Sequence, residues 1–477
     1  MIWQRFLERV DAAPNRTAGV WRGTGFSFAS LAGMAESLAA EIPGAGVSED
    51  DRGRPRRVLI RQSDPLAILL CVLAAWRAGK TPVILRERAS DAKVGELTSL
   101  LRPDLLLTTP LAVERLRPAT APGSATLAAT PRREALAIST SGSTGDPKLV
   151  VLPAEAVLVN ADTIASRLRF TTADRIVVNT PLTYMYGLMG GAVAGLLAGA
   201  EVHHFPPTTP WPIVQSHIRR QQIGVVQGPP SLLTLFAAFW NGEPFPDVRL
   251  VTTGGEAVTE RLVSGLAAAF PNADRRILYG MTEAGPRIAD DDLDAAGVIA
   301  GIVGRPYPHL RWRIDPTDDA VGLPPGAGRL ALAGPSMFLG YLQANERFEG
   351  IDNEGFFRSS DLVSVDGEGR LRFHGRVDRL FKSGGKLVNP TEIEAVLGRH
   401  PLVRQVVCRG EPHDLLGRIV VAEVVPDGPF PGAEATLRRH CEDHLEAQAV
   451  PREIRLIDRL PVSASGKADL GAVSPGG

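Results

Sequence analysis

Thr140-Ser141-Gly142-Ser143-Thr144-Gly145-Asp146-Pro147-Lys148 gathers small hydroxylated and glycine residues around a single lysine. Glycines reach positive φ and let the backbone approach a ligand; successive N–H groups then point at anionic oxygens, and hydroxyls add donors. The lysine supplies charge, so the stretch reads as a loop that wraps a nucleotide triphosphate. Its flanks, residues 135–138 and 149–152, are short apolar runs bounded by breakers, so the loop joins two strands. A P-loop differs, since its glycines open a helix and end in Gly-Lys-Ser/Thr, which is not the case here. Read alone, the same letters also suit a flexible Gly/Ser surface hairpin.

Working outward, residues 55–310 alternate apolar strand-like runs (58–60, 81–85, 104–107, 224–226) with helical periodicity. That pattern implies an α/β architecture with mostly parallel sheets, whose active sites gather at strand ends. Residues 1–10 read as an amphipathic helix, and the apolar stretches 65–78 and 187–200 as buried helices, because each falls short of the roughly 20 residues of a membrane span. From about Pro308 the texture changes to short segments and Gly/Pro/Asp turns, a small β-rich subdomain. After Arg379 a hairpin at Gly384-Gly385, a helix from Asn389 and strands near 405–407 and 419–422 make a separate C-terminal α+β unit.

Composition narrows the chemistry. At 477 residues the chain needs more than one core, and 44% hydrophobic with 22% charged residues is the balance of a soluble globular protein. A net charge of −1 gives no nucleic-acid or membrane signal, so small-molecule chemistry is the default. Cys71, Cys408 and Cys441 are odd in number and far apart, which fits neither a disulfide framework nor a zinc site and points to a reducing cytoplasm. The first ten residues carry charge among the apolar ones and lack a secretory h-region.

Four further segments follow the loop in order: Tyr279-Gly280-Met281-Thr282-Glu283, then Ser359-Ser360-Asp361-Leu362 with Gly375-Arg376-Val377-Asp378, then Lys382-Ser383-Gly384-Gly385-Lys386, and last Ser465-Gly466-Lys467. Together they resemble the successive core motifs of the adenylate-forming superfamily, which comprises acyl-CoA synthetases, stand-alone adenylation domains and luciferases. The resemblance runs along nearly the whole chain. It implies a large N-terminal domain at 1–377 and a small mobile C-terminal lid at 378–477, hinged near Asp378. It also implies ATP, Mg²⁺ and a pantetheine thiol, from coenzyme A or from an acyl carrier protein.

The family's chemistry is a leaving-group problem, solved when a carboxylate displaces pyrophosphate from ATP. Such catalysis rests on positioning and charge neutralisation. By resemblance, Thr140, Ser141, Gly142, Ser143, Thr144, Gly145 and Lys148 hold the β- and γ-phosphates; Leu149 stands where the family often has glycine. Tyr279 stacks on adenine, Thr282 meets the α-phosphate and Glu283 coordinates Mg²⁺. Gly254, Gly255 and Glu256 line adenine and acyl pocket. Asp361 accepts both ribose hydroxyls, although Ser359-Ser360 departs from the family's Thr-Gly, and Arg376 reaches ribose and phosphate. Asp378 is the hinge, with Arg379 where a second acid is frequent; Lys467 is the catalytic cation, and Gly384 and Gly385 leave room for pantetheine.

The acyl pocket is bordered by Tyr184, Met185, Tyr186, Gln227, Gly228 and Gly254. Amino-acid-activating relatives carry an aspartate after an aromatic in the segment corresponding to 181–187, and this chain has none there, so the acid lacks an α-amino group. The lining suits an aryl or modest aliphatic acid; Met185 and Tyr186 equally suit the core. Coenzyme A and a carrier protein stay open as acceptors. A nucleotide-binding relative with weakened catalysis is disfavoured by the joint presence of Lys148, Glu283, Asp361, Arg376 and Lys467. A kinase or ATPase would release ADP instead of AMP.

Overall fold

The computed structural model describes residues 1–42, 56–85, 91–101, 103, 105–109, 112–115, 134–140, 148–206, 208–320, 323–343, 347–429 and 431–460. The apolar runs flanking the opening stretch are strands Glu134–Ser139 and Leu149–Pro153, paired antiparallel with Ser139 opposite Leu149. Both read as continuous hydrophobic runs because the sheet around them is covered on both faces. Thr81–Ile84 runs parallel to the first of them, followed by Arg57–Ile60 and Leu105–Thr109. Gly340–Leu342 adds antiparallel to the second, Tyr341 opposite Val150. Arg57, 1% exposed, donates to both carboxylate oxygens of Glu134 at 3.0 and 2.9 Å, a buried fork that spans the intervening strand Thr81–Ile84. The helix Pro65–Arg77, capped by Asp64, is apolar on nearly every face because it lies wholly inside the core.

The second sheet holds parallel strands Arg175–Val178, Glu201–His204, Val225–Gln227, Leu250–Gly254 and Asp274–Tyr279. Their carboxyl ends lie side by side and bring Asn179, His204, Gln227, Gly254 and Tyr279 towards one edge, where open α/β sheets bind ligands. The β-rich stretch from Pro308 continues this sheet: Ala289–Asp292 pairs with Ile302–Pro306, which pairs with Leu371–Arg376, then Phe357–Val365, Gly328–Ala333 and Arg311–Asp315. Its strands are antiparallel and short, which is why their texture differs while their ladder is shared.

Beyond Arg379 the chain builds a separate core from Ile393, Leu397, Val420, Ala422, Leu437 and Cys441. Strands Phe381–Ser383 and Lys386–Val388 meet through a two-residue turn at Gly384 (φ 57°) and Gly385 (φ 80°). Positive φ at both central positions is what a type I′ hairpin demands of glycine. Asn389 caps the helix Pro390–Gly398, and Val403–His413, Gly417–Pro426 and Glu453–Leu456 form the sheet behind it. All three cysteines are buried and free, and among the described residues no helix is long and apolar enough to cross a membrane.

Candidate active site

Asp361, the ribose candidate, is the centre of a buried polar cluster. It is 4% exposed; Tyr279 donates its hydroxyl to Oδ2 at 2.5 Å and Arg376 donates Nη1 to Oδ1 at 3.0 Å. Ser359, part of the departure from Thr-Gly, accepts the Asp361 N–H on its Oγ and donates to the Leu330 carbonyl, so it holds the carboxylate's backbone. Burial first, then the Asp361 charge, pushes the Tyr279 hydroxyl well above its ordinary pKa, so it stays a donor. The Arg376 fork turns its other edge to Asp378, donating Nε at 3.0 Å and Nη2 at 2.8 Å. One guanidinium thus ties the nucleotide carboxylate to the hinge candidate. Arg379, the next residue, is bound instead to Glu394 at 2.6 and 3.0 Å and to the Cys408 carbonyl in the C-terminal unit.

Lys148 and Glu283, 135 positions apart, meet through Tyr341. The Lys148 Nζ lies 4.7 Å from the Tyr341 ring centroid, and the Tyr341 hydroxyl donates to Glu283 Oε1 at 2.6 Å. The segment before Tyr341 staples the two halves: Phe338 N–H bonds the Glu283 carbonyl and Leu339 N–H bonds the Val151 carbonyl. Burial, then Glu283, raises the Tyr341 hydroxyl, and Arg376 and Glu283 are close enough to feel one another's charge. Thr140 closes the loop's mouth, its N–H and Oγ1 both donating to the Lys148 carbonyl. Thr282 opens the short turn Thr282–Ala284 and is half-buried. Ser141, Gly142, Ser143, Thr144, Gly145 and Lys467 lie outside the described residues.

On the acyl side two glycines are sterically required. A Cβ on Gly254 would come 2.0 Å from the Leu278 carbonyl oxygen, and one on Gly280 would come 1.7 Å from that of Pro286. Gly255 takes φ 84°, and Glu256 caps the helix Pro230–Ala238 by accepting from Ser231 N at 2.9 Å and Ser231 Oγ at 3.2 Å. Met185 is in the core, the second of its two sequence readings. Tyr184 is half-exposed and precedes the helix Met185–Gly187. The Tyr186 hydroxyl reaches the carbonyls of Gly228 at 3.4 Å and Thr252 at 3.2 Å, which makes its ring a fixed wall. Gln227 is 3% exposed with neither amide atom partnered.

Two residues escaped the sequence reading. Tyr341 carries no motif of its own; the available signal was scarcity, since the chain has only five tyrosines and three of them, Tyr186, Tyr279 and Tyr341, hydrogen-bond at this cleft. Arg287, four residues past Glu283, is 3% exposed with its guanidinium 4.3 Å from the Tyr186 ring.

The donor set suits a nucleotide with its cation. Cations, a hydroxyl and two carboxylates face one cleft, one Glu283 oxygen is left for a hard ion after Tyr341 takes the other, and orphaned polar atoms on Asn179, Gln227 and Thr253 sit at the strand ends. Comparison with known proteins agrees. Residues 6–342 match the family model described as AMP-binding enzyme, and residues 392–467 that described as AMP-binding enzyme C-terminal domain. The indoleacetate–CoA ligase of Aromatoleum aromaticum is 28% identical over 95% of this chain and 94% of its own. The 2-succinylbenzoate–CoA ligase of Listeria monocytogenes is 27% identical over 96% of each. The o-succinylbenzoate CoA synthetase of Bacillus subtilis, solved with its acyl-adenylate intermediate, superposes with a TM-score of 0.80 at 22% identity, covering 99% of both chains.

Proposed function

The chain belongs to the AMP-binding enzyme family, and from that premise we propose that it is an AMP-forming acid–thiol ligase. A carboxylate oxygen attacks the α-phosphorus of ATP, and the bond to pyrophosphate breaks. A thiol sulfur then attacks the acyl carbon of the resulting mixed anhydride and AMP leaves. The observation that carries this reading is the continuous chain Lys148–Tyr341–Glu283 beside Arg376–Asp361–Tyr279, which gathers a phosphate cation, a metal carboxylate and a ribose carboxylate in one cleft.

In this reading Lys148 and the 140–145 loop neutralise the β- and γ-phosphates, Thr282 meets the α-phosphate, and Asp361 and Arg376 orient the ribose. Glu283 holds Mg²⁺, whose charge offsets that of the phosphates. Lys467 is the cation on the attacking carboxylate. Asp378 is the hinge between 1–377 and 378–477: Arg376 anchors it to the nucleotide side while Arg379 is held by Glu394, so φ/ψ change concentrates between the two anchors. Gly384 and Gly385 line the pantetheine path. Coenzyme A is the acceptor favoured here because the relatives named above are CoA ligases. Their acids also lack an α-amino group, in keeping with the absence of an aspartate in 181–187.

ATP–pyrophosphate exchange over a panel of carboxylic acids, followed by thioester capture with coenzyme A and with a holo carrier protein, tests the proposal. AMP and pyrophosphate must appear together; ADP as product would refute it, and capture by the carrier protein alone would replace coenzyme A as acceptor. Lys467→Ala should lower exchange by about 10²-fold or more, the scale of losing a charged transition-state contact, and spare thioester formation from preformed acyl-adenylate. Equal loss in both half-reactions would remove Lys467 from that role.

A further inference from the structure

The acyl side of the cleft contains a buried cation that the reaction itself does not use. Arg287 leaves the same turn that carries Glu283, its Cα 3.0 Å from where a Cβ on Gly280 would stand. Its guanidinium passes over the Tyr186 ring and ends against Gly190, where a Cβ would meet Nη2 at 2.5 Å. Gly190 therefore makes room for the arginine, and Gly191, whose Cβ would come 2.7 Å from Val178 Cγ2, lets the helix close on the sheet behind it.

Among the described residues, none neutralises this charge by hydrogen bonding. Nε and Nη2 of Arg287 are buried and unpartnered. The acid nearest in charge, Asp290, is engaged by two other arginines, Arg167 at 2.8 Å and Arg276. The remaining titratable neighbours are the hydroxyls of Tyr186 and Tyr307, both raised by burial and therefore neutral, and the Tyr186 hydroxyl is already committed to Gly228 and Thr252. Stacking on Tyr186 offsets only part of the cost of taking a lone ion from water. Further open polar groups stand at the same strand ends. Gln227 is in register with Val178 and Thr252, and His204 with Val178; neither Gln227 nor His204 has a side-chain partner, and neither does Asn179, the residue after Val178.

We infer that the acid activated by this protein carries a second anionic group, a carboxylate or an equivalent oxyanion, which pairs with Arg287 inside the acyl pocket while the first carboxylate reacts. Gln227, in register with Val178 on the face that Gly191 packs against, offers an amide donor to the same group. The pocket is thus built for a dicarboxylic acid or its oxyanion analogue, an aryl or modest aliphatic acid that bears a second anionic group. The inference rests on the proposed ligase reaction and names its substrate class.

Matched acids test it in pyrophosphate exchange on the full chain: pentanedioate against pentanoate, hexanedioate against hexanoate, 2-carboxyphenylacetate against phenylacetate. A site built to hydrogen-bond a substrate group rejects the analogue that lacks it, so the diacid should lead its partner by about 10²-fold or more in kcat/KM. Arg287→Met should erase that lead while monoacid exchange and the KM for ATP hold within about twofold; Arg287→Lys, which keeps charge but not the fork, should retain part of it. Monoacids used as well as diacids by the wild type, or equal losses on both from Arg287→Met, would overturn the inference and leave the ligase reading intact. Exchange with no acid of either kind would defeat both. The wild-type comparison needs no variant, so it decides the matter even where Arg287→Met fails to fold.

Discussion

The cluster around Asp361 and the pocket around Arg287 are both buried and both charged, yet they settle their hydrogen bonds differently. Asp361 has Tyr279 and Arg376, Arg376 has Asp378 as well, and Glu283 has Tyr341. Arg287, Gln227, Asn179 and His204 leave buried side-chain atoms with no partner. A self-satisfied network is rigid before its ligand arrives and suits a ligand that never changes, as ATP does in this reading. Orphaned donors cost stability until something fills them, and they discriminate because the wrong acid leaves them orphaned.

The contrast can be broken most forcefully at Asp361. Asp361→Asn keeps the shape and removes the charge that Arg376 and Tyr279 are organised around, so kcat/KM for ATP in exchange should fall by about 10³-fold. An unchanged KM for ATP would make the cluster a structural ion pair and nothing more. Acid is the next lever, and it acts on the pocket side. Burial, then the neighbouring His203, pulls His204 down to about 3, so the folded protein refuses a proton that the unfolded chain accepts. Its contribution is complete above the unfolded value of about 6.5 and is lost as pH falls towards 3, roughly 2–4 kcal/mol across that window. Thermal unfolding against pH should show the decline, and His204→Gln should make it shallower; an identical slope would acquit the histidine. The smallest effect is expected from Tyr341→Phe, which keeps the ring under Lys148 and deletes only the bond to Glu283. Exchange at limiting Mg²⁺ should drop about tenfold, about 1.4 kcal/mol, and recover as Mg²⁺ is raised. A loss insensitive to Mg²⁺ would separate Tyr341 from the metal carboxylate.

Much of the fold was legible because it is written locally. Short apolar runs bounded by breakers marked the strands Glu134–Ser139 and Leu149–Pro153, the apolar stretch 65–78 marked a buried helix, Asn389-Pro390 a helix start, and Gly384-Gly385 a hairpin. The shared ladder between the parallel strands and the β-rich stretch was not legible, since it depends on Ile302 pairing with Arg372, 70 residues away. Within the site, the motif residues Tyr279, Glu283, Asp361 and Arg376 could be named from the chain. Glu256 was read by resemblance as lining adenine and the acyl pocket; its bonds from Ser231 N and Oγ, which only the structure shows, were not legible.

The amino-acid sequence by itself determined which segments are strand, helix and turn, and which side chains have the chemistry to hold a nucleotide, because those properties belong to residues and near neighbours. Only the tertiary structure decided that Tyr341 joins Lys148 to Glu283, that Arg376 grips Asp361 and Asp378 together, and that Arg287 is enclosed with Nε and Nη2 unpartnered among the described residues. Each of these turns on the register of strands and turns far apart in the chain, and on the burial that follows. Distance along the chain carries no information about either.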